Sequence, residues 1–319
     1  MESGAGEQET EEGGERAVSI IHSIIFRMLN KGKSYYDPDH RPDYAARRKQ
    51  EEKTAGNSPV PKGVEIKGDQ VGEIQVEYVT WKENPADRII LYIHGGGFVS
   101  GSSRQSRNIT GYAAKVMGSN VVSVDYRLAP EHPFPAGVED CLAVYRSLLE
   151  KYSPEKIAFM GVSAGGNLVF ATALMARDRG LPLPACIVAA SPTLQYSRTL
   201  QSYTGNAQTD CMITNLSEEV RAEYFQTEEK NVVEDPYGAP LFGDFQGFPP
   251  VFLNASDSEV LLDDSVMMYR KLKKQGVKVK MSRRAGMMHG YLFLPMLPEA
   301  KRDLKAVTQF IGECFEREK

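Results

Sequence analysis

Residues 156–165 decide the fold, and they read Lys-Ile-Ala-Phe-Met-Gly-Val-Ser-Ala-Gly. The apolar half of this stretch predicts a buried strand, and the Gly-x-Ser-x-Gly half fits a sharp turn from that strand into a helix. Glycine neighbours are needed because the turn forces Ser163 into a sparsely populated backbone conformation. Such a turn exposes the serine hydroxyl at the top of a sheet. Ser163 is therefore a candidate nucleophile, with a plain glycine turn as the alternative.

A second glycine-rich stretch, residues 94–98 (His-Gly-Gly-Gly-Phe), follows the apolar run 88–93, which predicts another buried strand. Successive glycines let bare backbone N–H groups approach a substrate oxygen closely, as binding of a tetrahedral oxyanion requires. A flexible loop is the alternative. The presence of a nucleophile turn in the same chain favours oxyanion binding, with the N–H groups of Gly95, Gly96 and Ala164 as the donors.

A serine nucleophile needs a base within hydrogen-bond reach, and that base is oriented by an acid. Four of the five histidines lie in contexts that favour structural roles: His22 in an amphipathic stretch, His40 in a polar linker, His94 in the glycine loop and His132 in a proline-flanked turn. His289 instead lies between a strand pattern at 277–281 and a helix pattern at 298–317. The chain order serine, acid, histidine places the base there. We therefore predict that His289 is the base.

The acid is expected between Ser163 and His289, after the strand predicted at 251–254. Four carboxylates compete for this role: Asp257, Glu259, Asp263 and Asp264. The last two begin a predicted helix, and carboxylates in a first helical turn usually interact with the helix dipole while exposed to solvent. The residue pattern alone leaves Asp257 and Glu259 as alternatives.

Four motifs in this order resemble those of the hormone-sensitive-lipase-like (family IV) esterases of the α/β-hydrolase fold: residues 94–98, 124–136, 161–167 and 289–290. The resemblance runs from about Gly72 to the C-terminus. It implies a serine carboxylesterase that hydrolyses short- to medium-chain acyl esters through an acyl-enzyme, with no metal or organic cofactor. Two alternatives are an amidase of arylacetamide-deacetylase type with the same triad, and a receptor of gibberellin-receptor type. The receptor lacks the catalytic histidine, so His289 favours an enzyme.

The resemblance also assigns the acid. The family's Asp-Pro-Leu-x-Asp-Glu segment falls on residues 259–264, so Glu259 takes the acid role in place of the commoner aspartate. A second departure is Val162, where the family most often carries aspartate, and this departure bears on substrate preference. In the motif at 124–136, Asp125 and Arg127 are expected to form a buried ion pair that supports the scaffold.

Strand and helix patterns alternate along the chain, which predicts a mostly parallel central sheet with helices on both faces and a helical cap. The predicted helices are 136–151, 166–179, 262–275 and 298–317. Three regions are expected: a disordered acidic tail at 1–15, an N-terminal helical cap segment at 16–55 and an α/β-hydrolase catalytic domain at 56–319. An insertion at 191–248 is expected to complete the cap, with a helix at 217–225.

Apolar residues recur at helical spacing across 16–32, which fits a helix packed on the core, a helix in a membrane surface or a cap element. Because the resembling family builds its cap partly from an N-terminal helical extension, we favour the cap. The side chains expected to contact substrate are Phe98, Tyr203, Met212, Phe225 and Tyr291.

Composition excludes several other classes of protein. The 319 residues carry a net charge of -4, and their basic residues are dispersed, so nucleic acid is not an expected partner. Four cysteines without paired spacing favour a reducing cytoplasm. No apolar run reaches bilayer length, and the acidic opening differs from a signal peptide, so no membrane insertion is expected. The expected partner is a small-molecule ester. The last strand and helix could pair across a homodimer, as in some relatives.

Overall fold

The computed structural model describes residues 18–31, 33, 36–55, 60–83, 86–197 and 199–316. The predicted tail at 1–15 lies outside the described residues, as do residues 16, 17 and 32 of the predicted cap helix. Eight strands of the described part form one sheet: β1 (Val64–Val71), β2 (Ile74–Trp81), β3 (Ile89–Ile93), β4 (Asn120–Asp125), β5 (Ile157–Val162), β6 (Cys186–Ala190), β7 (Val251–Ser256) and β8 (Val279–Arg284).

The strand order is β1-β2-β4-β3-β5-β6-β7-β8. Strands β1 and β2 pair antiparallel with each other, and β2 pairs antiparallel with β4. All the remaining pairings are parallel. The predicted mostly parallel sheet is therefore confirmed, and the antiparallel hairpin at one edge extends it.

Ten α-helices are described: α1 (Ile20–Lys31), α2 (Tyr44–Ala55), α3 (Arg107–Val116), α4 (Ala136–Leu149), α5 (Ala164–Asp178), α6 (Gln201–Gly205), α7 (Leu216–Glu219), α8 (Lys230–Val233), α9 (Leu262–Lys274) and α10 (Pro298–Phe315). The predicted helix at 217–225 is divided, because a π-helix (Val220–Phe225) follows α7. Within the described residues, no helix has both the length and the apolarity needed to cross a bilayer.

Alternate residues along the strands belong to two hydrophobic cores, one on each face of the sheet. Ile89, Leu91 and Ile93 of β3 pack in one core with residues of α4, α5 and α9. Ile90 and Tyr92 of the same strand pack in the other core with residues of α3 and α10. This two-residue periodicity is the expected geometry of a strand, and it confirms the prediction of helices on both faces.

The two N-terminal helices pack against loops that follow the carboxyl ends of strands β3, β4 and β8. Helix α1 lies against the loop that follows β8, in a third apolar cluster that includes Ile25, Leu29, Met287 and Met288. Helix α2 is fixed by Arg48, whose guanidinium donates to the carbonyl oxygens of residues 99 and 129. Both helices therefore contact loops that carry predicted site residues.

The predicted ion pair between Asp125 and Arg127 is wrong. The Arg127 guanidinium instead pairs with Asp140 of α4 at 2.8 Å, and Asp125 accepts a hydrogen bond from the backbone N–H of Ser103 at 2.6 Å. Helix α4 brings Asp140 against Arg127 after the chain has turned back on itself, and a motif confined to 124–136 carries no signal for that contact.

Candidate active site

Ser163 lies at the junction between β5 and α5 with φ 58° and ψ -121°, a conformation that non-glycine residues rarely adopt. Its glycine neighbours are sterically required. A Cβ added at Gly161 would lie 2.3 Å from the carbonyl oxygen of Gly165, and one added at Gly165 would lie 2.1 Å from the carbonyl oxygen of Ile93. The turn therefore holds Ser163 at the carboxyl edge of the sheet, where the sequence predicted its hydroxyl.

The glycine loop lies directly against this turn. A Cβ at Gly95 would be 2.9 Å from the carbonyl oxygen of Val162 and 3.1 Å from Cβ of Ser163. Gly96 has φ 118°, and a Cβ there would lie 2.1 Å from the carbonyl oxygen of Ser100. Ala164 is the first residue of α5, so its N–H has no partner within the helix. Gly95 and the first residue of α5 thus both lie beside Ser163.

His94 supports the glycine loop. Its Nδ1 lies 2.7 Å from the carbonyl oxygen of Gly95, and its ring stacks on Tyr126 with centroids 4.3 Å apart. Burial lowers the pKa of His94, which favours the neutral ring. Because a carbonyl oxygen can only accept, Nδ1 carries the proton of the hydrogen bond to Gly95. These contacts agree with the structural role that we expected for His94.

His289 lies in the loop after β8, and its Nδ1 is 2.7 Å from Oε2 of Glu259. The Glu259 carboxylate is fully buried, and its Oε1 accepts hydrogen bonds from Ser191 Oγ at 3.0 Å and from the Ser256 N–H at 2.8 Å. Asp257 instead faces Arg283 at 2.8 Å, with 37% of its side chain exposed. The structure therefore places Glu259, and not Asp257, against His289.

The environment of His289 favours its charged form. Burial by itself lowers the pKa of His289, whereas the hydrogen bond and charge of Glu259 raise it, with a further contribution from the charge of Asp210. The net pKa is raised from the ordinary value of 6.5. An imidazole with this environment can accept a proton and hold it while the carboxylate balances the charge.

The loop that carries His289 (residues 285–290, the base loop) contacts the nucleophile turn through residues next to His289 and Ser163. The N–H of Gly290 donates to Ser191 Oγ at 3.1 Å, and the N–H of Ser163 donates to the Ala190 carbonyl at 3.0 Å. A Cβ at Gly290 would lie 3.1 Å from Cγ2 of Val162. Val162 stands where the hormone-sensitive-lipase-like esterases most often carry aspartate. Its side chain therefore fills the space between the nucleophile turn, the glycine loop and the base loop.

The five side chains predicted to contact substrate occupy different environments. Phe98 is 1% exposed and stacks on Tyr224 at 3.9 Å, and Phe225 packs in the same aromatic cluster. Tyr291 is fully buried, and its hydroxyl bonds Asn254 and Asp303.

The remaining two candidates lie in the insertion. The Tyr203 hydroxyl donates to Asp264 Oδ2 at 3.0 Å, and the Met212 side chain is 45% exposed. The bonds of Tyr203 and Tyr291 make these residues supports of the surrounding loops. Contact of the five side chains with substrate stays a prediction.

Asp264 was wrongly expected to be solvent-exposed. It is fully buried, and its Oδ1 accepts hydrogen bonds from the N–H groups of Leu194 at 2.7 Å and Gln195 at 3.1 Å. The start of the insertion folds over the first turn of α9, and no local pattern reports that contact. Burial raises the pKa of Asp264 to about 7.

His22 has the structural role expected for it, but the sequence did not identify its partner. Its Nε2 accepts a hydrogen bond from the N–H of Met288 at 3.1 Å, which fixes α1 to the residue before His289. His22 lies at helical spacing from Ile25 and Leu29, on the face that packs against the base loop. A polar residue on that apolar face was the available signal.

Comparison with known proteins identifies the family. Residues 90–293 match the profile of the alpha/beta hydrolase fold. An acetyl-hydrolase of Streptomyces hygroscopicus is 32% identical to this chain over 260 residues, which cover 80% of this chain and 84% of the relative. The chain belongs to the α/β-hydrolase family and, within it, to the hormone-sensitive-lipase-like esterases, which are carboxylic ester hydrolases.

Solved structures give the same placement. An esterase from the bacterial hormone-sensitive lipase family superposes with a TM-score of 0.86 at 32% identity, covering 94% of this chain and all (100%) of that chain. The esterase EstE5, in crystals soaked with p-nitrophenyl butyrate, superposes with a TM-score of 0.85 at 32% identity and the same coverage, 94% and 100%. The likeness therefore extends across nearly the whole fold.

Proposed function

We propose that this protein is a serine carboxylesterase that hydrolyses short- to medium-chain acyl esters of small molecules with a Ser163, His289 and Glu259 triad. The observation that carries the proposal is the contact of 2.7 Å between His289 and Glu259, in a loop that meets the turn holding Ser163 at φ 58°. A serine hydroxyl alone is a weak nucleophile at neutral pH, and an adjacent oriented base activates it.

In the acylation step, Ser163 Oγ attacks the carbonyl carbon of the ester while Nε2 of His289 takes the hydroxyl proton. Glu259 accepts the hydrogen bond from Nδ1–H and stabilises the imidazolium that forms. The N–H groups of Gly95, Gly96 and Ala164 hold the oxyanion of the tetrahedral intermediate. Collapse of this intermediate breaks the ester C–O bond, and His289 returns the proton to the leaving alcohol.

In the deacylation step, water attacks the acyl-enzyme with His289 again as the base. The second tetrahedral intermediate collapses to release the carboxylic acid and the free Ser163 hydroxyl. The chemistry uses only protein groups and water. Short and medium acyl groups are supported by the Streptomyces relative, which is named an acetyl-hydrolase, and by the butyrate ester soaked into crystals of EstE5.

The test is hydrolysis of p-nitrophenyl acetate, butyrate, octanoate and palmitate by the wild type and by Ser163→Ala. We expect turnover to fall by about 10^4- to 10^6-fold in the variant, as in other serine triads. Ser197→Ala is the matched control, because within the described residues the hydrogen bonds of the Ser197 hydroxyl are to Thr199 at the surface. Near-native rates in Ser163→Ala would overturn the proposal. Faster cleavage of an anilide than of its matching ester would favour the amidase alternative.

A further inference from the structure

The loop that carries Glu259, residues 257–260 (the acid loop), is held by side chains of one short part of the insertion. We call that part, residues 202–210, the clamp segment. Three of its side chains donate to the four carbonyl groups of the acid loop: Asn206 to Asp257 (3.0 Å) and Glu259 (2.9 Å), Thr209 to Ser258 (2.9 Å), and Ser202 to Val260 (2.6 Å). The backbone on both sides of Glu259 is therefore fixed from outside the loop.

Asp210 completes this arrangement from the other direction. Its Oδ2 accepts the hydrogen bond of the Val260 N–H at 3.0 Å, and its Oδ1 accepts those of Met212 and Ile213 at 2.9 and 3.0 Å. Only 1% of Asp210 is exposed. A carboxylate with three backbone donors is strongly held, because charge-assisted hydrogen bonds are stronger than neutral ones.

The charge of Asp210 also reaches the base. Two carboxylates raise the pKa of His289 against the effect of burial: Glu259 through its hydrogen bond and charge, and Asp210 through charge alone. Lys33 of the N-terminal segment places a cation at the clamp segment, where its Nζ donates to the backbone carbonyls of Ala207 and Asp210. Lys33 therefore supports the clamp segment and lies on the Asp210 side of the site.

We propose that the clamp segment positions the triad acid, with Asp210 as a positioning residue that fixes the acid loop and sets a second negative charge near the His289 ring. This inference rests on the triad of the proposed function. It gives the insertion a role in the chemistry, besides any contact with substrate. Loss of a side-chain hydrogen bond from the clamp segment to the acid loop should therefore lower kcat more than it raises KM, since the misplaced group acts on the transition state.

The first test is the pH profile of kcat/KM for Asp210→Asn. The substitution keeps the size of the side chain and removes its charge, so the pKa of His289 falls. The acid limb of the profile then moves to lower pH by roughly half a unit, and kcat falls by about tenfold with KM within about twofold. In Asp210→Glu, which keeps the charge at a different length, we expect the acid limb to return to its wild-type position while kcat stays reduced.

A second pair of variants keeps the proposal testable if Asp210→Asn does not fold. Asn206→Ala removes the donor to two carbonyls of the acid loop, and we expect kcat to fall by about tenfold. Thr204→Ala is the matched control, since in the described part of the chain the Thr204 hydroxyl bonds the carbonyl of Gln201 within α6 and no group of the acid loop. An unchanged kcat in Asn206→Ala, or an unmoved acid limb in folded Asp210→Asn, would overturn the proposal.

An NMR titration of the His289 imidazole separates this inference from the proposed function. It measures the pKa of His289 in the wild type and in Asp210→Asn without any turnover. A lower pKa in the variant supports the charge placement even if Ser163→Ala were to keep its hydrolysis. Equal pKa values in the two proteins would contradict the charge placement, whatever the activity assays show.

Discussion

Oε2 of Glu259 lies 2.7 Å from Nδ1 of His289. Both residues are buried, since Glu259 has no exposed surface and His289 is 7% exposed. Two bonds from Ser191 and Ser256 fix the other carboxylate oxygen. The negative charge is thus held at one point relative to the ring. In a triad, such a charge sets the tautomer of the histidine and stabilises its protonated form.

Glu259→Gln should lower kcat by about 10^3- to 10^4-fold, because glutamine removes the charge that stabilises the imidazolium and can reverse the ring tautomer. Steady-state kinetics with p-nitrophenyl butyrate measure the loss. Asp257→Asn is the matched control, and we expect a change of less than about twofold, since this carboxylate forms a partly exposed pair with Arg283. A larger loss in Asp257→Asn than in Glu259→Gln would show that the acid is misassigned.

The pH dependence of hydrolysis should report the pKa of His289. The base must be neutral to accept the Ser163 proton, so kcat/KM falls as the pH drops through that pKa. Because the pKa of His289 is raised from 6.5, the midpoint of the acid limb is expected above pH 6.5. Glu259→Gln removes the largest raising influence, so its residual activity should have a midpoint at lower pH. A wild-type midpoint below 6.5 would be inconsistent with this environment.

Gly165→Ala should destabilise the fold, because the added Cβ would lie 2.1 Å from the Ile93 carbonyl oxygen, a backbone atom that cannot move aside. We expect the free energy of unfolding to fall by about 3 kcal/mol or more. Gly312→Ala in α10 is the control. Apart from the backbone of its own helix and its chain neighbours, no atom of the described residues lies within 4 Å of the added Cβ, and alanine should raise stability by about 0.5–1 kcal/mol through helix propensity. Denaturant unfolding measures the free energy of unfolding of both variants. Equal values for Gly165→Ala and Gly312→Ala would contradict the close packing of the nucleophile turn.

Asp264→Asn should alter the pH dependence of stability. Burial raises the pKa of Asp264 to about 7, above its unfolded value near 3.8, so the folded protein binds this proton more tightly. The resulting stabilisation is complete below pH 3.8 and is lost as the pH rises towards 7. Asparagine does not titrate, so the stability of the variant relative to the wild type should increase across that window. The neighbouring Asp263→Asn provides the comparison. If the difference in unfolding free energy between Asp264→Asn and the wild type did not change with pH, the raised pKa of Asp264 would be refuted.

Local patterns predicted the parts of the site that local geometry determines. Strand periodicity, the glycine spacing around Ser163 and the position of His289 after the last strand each reflect constraints within a few residues. The motif register also pointed to Glu259, and the structure places that carboxylate against His289. The strand, the turn and the position of the histidine could be predicted because backbone sterics and sheet topology restrict them strongly, whereas Glu259 was implied only by the resemblance to the family.

Contacts between distant segments could not be predicted in this way. Asp264 is buried because the segment that begins with Leu194 folds over it, and Arg127 pairs with Asp140 because α4 turns back towards β4. His22 bonds the N–H of Met288 across 266 positions of the chain. Each of these contacts depends on tertiary packing, and a pattern within one segment carries no information about the partner.

The most direct test of the central claim is covalent trapping of the nucleophile. The wild type is incubated with diethyl p-nitrophenyl phosphate, residual ester hydrolysis is followed, and the modified residue is identified by peptide mass spectrometry. We predict that a single diethylphosphoryl group is attached to Ser163, that activity is lost in proportion to labelling, and that Ser163→Ala takes up no label. Stoichiometric labelling of another residue, or full hydrolysis by a protein labelled at Ser163, would contradict the account.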